Sequence, residues 1–133
     1  MIAVDTSVWI DFFADRPTPQ VNLLDGYLTR FPGEIVLVDV VLTEVLRGLK
    51  DKDVPRVESV LLDLDVLKLQ WITDFRAAAG LYRAARQSGV TVRSTVDCLI
   101  AAVCIREDAT LLHADVDFER LAGITHLSTI KVG

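Results

Sequence analysis

Apolar residues in this chain gather in short unbroken runs, separated by longer stretches where they recur every three or four positions. The first run, Ile2-Ala3-Val4, ends at Asp5-Thr6-Ser7, the pattern of a buried strand leading into a helix. Val8, Trp9, Phe12 and Phe13 follow at helical spacing, and Arg16-Pro17-Thr18-Pro19 breaks the chain. A helix over 21–29 precedes Phe31-Pro32-Gly33, and Ile35-Val36-Leu37-Val38 is a second buried strand. Asp39 is placed to cap a helix over 40–49. Pro55 starts another helix, with Val57, Val60, Leu61 and Leu64 as its inward stripe, and 66–69 is a weaker strand. The spacing then predicts a long helix over 73–87, with Phe75, Ala78, Ala79, Tyr82 and Ala85 facing inward. Ser94-Thr95-Val96-Asp97 opens a helix that is apolar almost all round to Ile105 and must be deeply packed. A strand over 110–114, a short helix over 118–121 and a strand over 126–132 complete the chain. Strands that alternate with helices and are apolar at consecutive positions predict a three-layer α/β/α domain spanning 1–133. Its sheet is parallel, with about four to five strands.

Composition narrows the function. The 133 residues carry 14 Lys and Arg against 19 Asp and Glu, a net charge of −5, and 51% are hydrophobic. Such an apolar share excludes a disordered chain and supplies a core without disulfides. The longest apolar run, Cys98 to Ile105, has eight residues where a membrane span needs about 20. Met1–Val4 lacks a basic flank and Asp5 interrupts any apolar core, so a cytoplasmic protein without a secretory signal is expected. Cys98 and Cys104 lie six residues apart on one helix, about 9 Å along its axis. That separation exceeds the usual disulfide limit of about 7 Å and predicts buried thiols. His113 and His126 fall in predicted strands and are expected to be structural, and no Cys/His spacing suits zinc. The acidic balance opposes direct binding of duplex DNA but suits carboxylates gathered around a divalent cation.

The acids fall in comparable places. Asp5 follows the first strand, Asp115 and Asp117 follow the fourth, Asp97 lies in the first turn of the buried helix, and Glu44 sits one turn inside the helix after strand two. In a parallel sheet all five can converge beyond the carboxyl ends of the strands. Carboxylates about 3–4 Å apart cannot all stay ionised cheaply without a compensating charge. An all-oxygen donor set points to Mg²⁺ or Mn²⁺. Each acid alone also has a plain structural role. Asp97 is placed to complete a capping box with Ser94, Asp5, Asp115 and Asp117 to cap helices, and Glu44 to pair with Arg47.

The segment Ile2-Ala3-Val4-Asp5-Thr6-Ser7-Val8-Trp9-Ile10 resembles the opening of a PIN-domain ribonuclease. Leu42-Thr43-Glu44-Val45, Thr95-Val96-Asp97-Cys98-Leu99-Ile100-Ala101-Ala102 and Ala114-Asp115-Val116-Asp117-Phe118 with Leu121 are similar to its second, third and fourth acidic motifs. Cys98 departs from the small residue the family often has there. Order, spacing and length resemble the VapC-type toxins of toxin–antitoxin pairs. The resemblance implies a Mg²⁺- or Mn²⁺-dependent endoribonuclease acting on RNA, restrained by a VapB-type antitoxin; a homodimer is expected as well. It implies Asp5 and Asp97 as metal ligands, Asp115 as a third directly or through water, Glu44 completing the quartet and Asp117 as auxiliary. Thr6 or Ser7, and Thr95, would orient carboxylates or water.

Other small α/β proteins fit less well. A receiver domain needs adjacent acids after strand one, and an Asp-x-Asp phosphatase needs an acid where Ser7 stands. The different-class alternative is a non-catalytic interaction module whose acids only cap helices. Arg76, Arg83 and Arg86 near one face of the long helix are either a solvated face or an RNA-backbone contact. Trp9, Phe12, Phe13 and Trp71 are mostly core, with one or two free to line a groove for a partner.

Overall fold

The computed structural model describes residues 1–130 and residue 132. Five short strands, β1 (Ile2–Val4), β2 (Ile35–Val38), β3 (Asp65–Leu67), β4 (Thr110–Leu112) and β5 (Ser128–Thr129), form one sheet in the order β3-β2-β1-β4-β5. Every adjacent pair is parallel. β1 and β2 are buried at every position because helices cover both faces, which is why they read as unbroken apolar runs. β3 is an edge strand whose Asp65 and Val66 are exposed, and its sequence signal is weak for that reason.

Helices α1 (Thr6–Phe13) and α2 (Pro19–Arg30) connect β1 to β2, and α3 (Asp39–Leu46) and α4 (Val54–Leu61) connect β2 to β3. The chain then returns through α5 (Thr73–Gln87) and α6 (Thr95–Glu107) to β4, and through α7 (Val116–Ile124) to β5. The strand order reverses direction here, so right-handed crossovers place α1–α4 on one face and α5–α7 on the other. The helix contacts follow this division. β1 and β4 flank the point of reversal, and Asp5 donates its amide to Leu112 O at 2.9 Å across it. Open parallel sheets bind ligands at such a point.

Several sequence expectations need correction. In α5 the buried positions are Asp74, Ala78 and Ala85, with Leu81 half-buried, whereas Phe75, Ala79 and Tyr82 are exposed. Small residues let α5 lie close against α6, which rotates the aromatic side chains onto its shoulder. Val60 is also exposed, while Val57 and Leu61 are buried as expected. Asp39 begins α3, and its carboxylate accepts the amides of Val40 at 2.7 Å and Leu69 at 3.1 Å, tying α3 to the chain beyond β3. His126 is exposed in the turn before β5, outside any strand. Ser94 makes no side-chain cap bond, so the anticipated capping box with Asp97 is absent. The last predicted strand ran to Val132, and its Lys131 lies outside the described residues. Cys98 and Cys104 are free and buried. Trp9 is fully buried, whereas Trp71 is 78% exposed.

Candidate active site

Asp5 leaves the sheet at the carboxyl end of β1 and is 6% exposed. Its carboxylate accepts the Ser7 hydroxyl at 2.7 Å. Burial raises its pKa, opposed by that hydroxyl, and Glu44 adds to the rise. Glu44 reaches the same region from α3. Its Oε1 accepts the Thr6 hydroxyl at 2.6 Å, and its Oε2 lies 4.0 Å from Arg47 Nη2. The two hydroxyls that follow β1 therefore orient two different acids, where the resemblance implied only that Thr6 or Ser7 would orient a carboxylate or water.

Asp115 follows β4 and caps α7 by accepting the Asp117 amide at 2.9 Å. Its own amide donates to His113 Nδ1 at 3.1 Å, and His113 Nε2 meets Glu119 Oε1 at 2.7 Å. With Nδ1 accepting, Nε2 carries the proton that Glu119 receives. His113 lies buried just beyond β4, not inside the strand as expected, and it holds the backbone of Asp115. Asp117 is almost fully buried. Its Oδ2 accepts Arg93 Nε at 3.1 Å, and Arg120 Nη1 lies 3.5 Å from its Oδ1. Arg93 Nη2 also reaches Asp115 Oδ1 at 3.4 Å. Arg93 was not anticipated from sequence. It lies in a loop, and only folding brings it to acids 22 and 24 residues away.

Asp97 stands in the first turn of α6 and is held at the meeting point of the others. Its pKa is pushed up to about 7, first by burial, then by the charges of Asp5, Asp115, Glu44 and Asp117 in that order. The other four sequence-predicted acids thus all act on the Asp97 carboxyl group. The tightest set is Asp97, Asp115 and Asp117, each of which offers an oxygen within 4.8 Å of the others. Asp5 lies outside that trio, although its charge acts on Asp97 more strongly than that of any other acid. Arg47, Arg93 and Arg120 pair with Glu44, Asp115 and Asp117. No ion pair among the described residues includes Asp5 or Asp97. Two partly or fully buried acids without a basic partner, amid oxygen donors only, fit a hard divalent cation.

Acids converging at the point of reversal of an α/β sheet form a candidate metal site of the kind that metal-dependent nucleases use, and the comparisons place the chain among them. The family model described as PIN domain matches residues 2–124, and the chain belongs to that family. It is a PIN-domain ribonuclease of the VapC type. It is 41% identical over 130 residues to Ribonuclease VapC11 of Mycobacterium tuberculosis, covering 96% of each chain. Two solved structures share its fold at lower identity. One is VapBC2 of Rickettsia felis bound to a DNA fragment from its promoter (TM-score 0.74, 23% identity, 100% of both chains). The other is VapC20 of M. tuberculosis, a toxin that cleaves the sarcin–ricin loop (TM-score 0.70, 19% identity, 96% of this chain and 99% of that one).

Proposed function

We propose that the chain, one PIN-like domain over 1–133, is a Mg²⁺-dependent endoribonuclease that cuts RNA as the toxin of a toxin–antitoxin pair. The observation that carries this is the pair of carboxyl groups, Asp5 and Asp97, with raised pKa values and no basic partner among the described residues. Asp5, Asp97 and Asp115 hold the ion, with Mn²⁺ an acceptable substitute, and Glu44 completes the acidic quartet. When bound, such an ion supplies the positive charge and Lewis acidity that phosphodiester hydrolysis needs. Thr6 and Ser7 fix Glu44 and Asp5 through their hydroxyls. Asp117 serves as an auxiliary acid, since both of its oxygens meet arginines.

A VapB-type antitoxin is the natural partner, by analogy with the VapBC assemblies of the same fold, and would set a basic side chain against the acidic cleft. We place the protein in the cytoplasm as a homodimer. Among the described residues no helix is long and apolar enough to cross a membrane, and Trp71 offers large exposed apolar surface to a protein partner.

The test is cleavage of a short single-stranded RNA. Cleavage is expected with MgCl₂, none with EDTA, and recovery on adding MnCl₂. Equal cleavage in EDTA, or none under any condition, overturns the proposal and favours the interaction module. A second expectation concerns Arg93, which braces Asp115 and Asp117 together. Arg93→Ala should lower the cleavage rate about tenfold, the usual effect of losing a group that orients metal ligands. Arg93→Lys should restore only part of it, because an ammonium cannot bridge two carboxylates with a planar fork. Unchanged rates in both variants would remove that role.

A further inference from the structure

A groove of about 530 Å³ runs between α5 and α6, lined by Phe75, Tyr82, Arg83, Arg86, Thr95 and Cys98 among others. Phe75 and Tyr82 are the aromatic residues that α5 turns outward, each a little under half exposed. The groove wall is more apolar than polar, yet two arginines border it and no acid among the described residues does. In a chain of net charge −5, that is a local reversal of sign beside a cluster of five acids. The groove and the acids share the head of α6. Thr95 and Cys98 lie on the same turn of α6 as Asp97, and the Asp97 charge acts on the Cys98 thiol.

We infer that this groove is a nucleotide subsite, where bases of single-stranded RNA near the scissile phosphate stack separately on Tyr82 and on Phe75 while Arg83 and Arg86 meet the backbone. The inference rests on the ribonuclease reading of the acidic cluster and adds to it the place where the strand is held. Single-stranded RNA is recognised by stacking of splayed bases on aromatic rings and arginine planes. Backbone phosphates select arginine over the carboxylates nearby. A cavity of this size accommodates a base with its sugar. Thr95 and Cys98 bring the groove to the head of α6, the helix end that also carries Asp97.

Binding of a fluorescein-labelled single-stranded RNA, measured in EDTA so that no strand is cut, tests the groove independently of catalysis. Tyr82→Ala should weaken binding about tenfold, the order expected for one lost base stack. Tyr82→Phe should bind like the wild type. Arg83→Ala with Arg86→Ala should weaken binding and flatten its dependence on salt concentration. In MgCl₂ the same variants should raise KM for RNA with kcat largely retained. Tyr82 is exposed, so the thermal midpoint should be unchanged. Wild-type affinity in Tyr82→Ala and in the double arginine variant overturns the subsite. So does a change confined to oligomeric state or antitoxin retention, which would make the face a protein interface. Absence of cleavage by the wild type would overturn the nuclease proposal, while the binding series still decides the groove.

Discussion

Asp97→Asn should reduce RNA cleavage about 100-fold or more, while leaving the metal-free protein as stable at neutral pH as the wild type, or more so. The first effect follows from removing a ligand charge at the centre of the cluster. The second follows from repulsion. Asp97 is half-buried, and its pKa is raised from 3.8 to about 7 by burial and by four neighbouring acids. Between those two values the folded chain holds a proton that the unfolded chain has lost. Stability therefore falls as pH rises through that window and levels off above it. A shift of that size corresponds to about 4 kcal/mol if fully expressed. Exposure of half the group leaves roughly 1–2 kcal/mol. Asn carries no charge, so the variant should show a shallower decline, to which the raised pKa of Asp5 still contributes. Saturating Mg²⁺ should flatten the wild-type curve too, because a ligand of the folded state stabilises it by mass action. Urea unfolding across a pH series measures both proteins. A loss of about 1 kcal/mol in the variant at pH 7, with cleavage retained, would assign Asp97 instead to stabilising the start of α6 through its charge.

The second large effect is expected far from the chemistry. Arg106→Ala should destabilise the fold by about 3–5 kcal/mol, the range for breaking a buried ion pair from one side. Asp74 is fully buried, and Arg106 grips it at two points, Nε to Oδ1 and Nη2 to Oδ2, each at 2.9 Å. The same Nη2 donates to Lys68 O at 2.9 Å, and Asp74 accepts the Gln70 amide at 2.7 Å. Burial alone would raise the Asp74 pKa, but the bonds from Arg106 and Gln70 outweigh it and lower it. This clamp holds the turn before α5, where Ile72 takes a positive φ of 63°. That region is unfavourable for a β-branched side chain and persists only when its surroundings enforce it. Without Arg106 a charge is left buried and the turn is released. Replacing Asp74 and Arg106 together by Ala should cost less than Arg106→Ala alone, since no unpaired charge remains. Urea midpoints of the two variants decide it, and equal losses would show that the pair stabilises through packing instead. Asp74 should also matter in acid. Its lowered pKa contributes stability above the unfolded value, which is lost as pH falls through the folded one.

What was legible in the chain is what local chemistry dictates. Buried parallel strands must be apolar at every position, so Ile2–Val4 and Ile35–Val38 announce themselves. Acids at the ends of β1 and β4 and at the head of α6 are visible because strand-to-helix junctions can be located from periodicity alone. The tertiary structure alone decided which charges are answered and which are not. Arg93 reaches Asp117 across 24 residues, and Arg106 reaches Asp74 across 32. Periodicity also misplaced Phe75 and Tyr82, since the inward face of α5 was set by how closely Ala78 and Ala85 let it approach α6. Strand and helix identity depend on neighbours a few residues apart. Ion pairing and groove shape depend on distances that only packing sets.

The functional assignment reduces to Asp5 and Asp97: the Asp5 charge raises the Asp97 pKa, neither acid has a basic partner among the described residues, and a doubly charged ion can replace the proton that otherwise relieves their repulsion. A titration in which Mg²⁺ leaves the folding stability of the wild type untouched at neutral pH would end it.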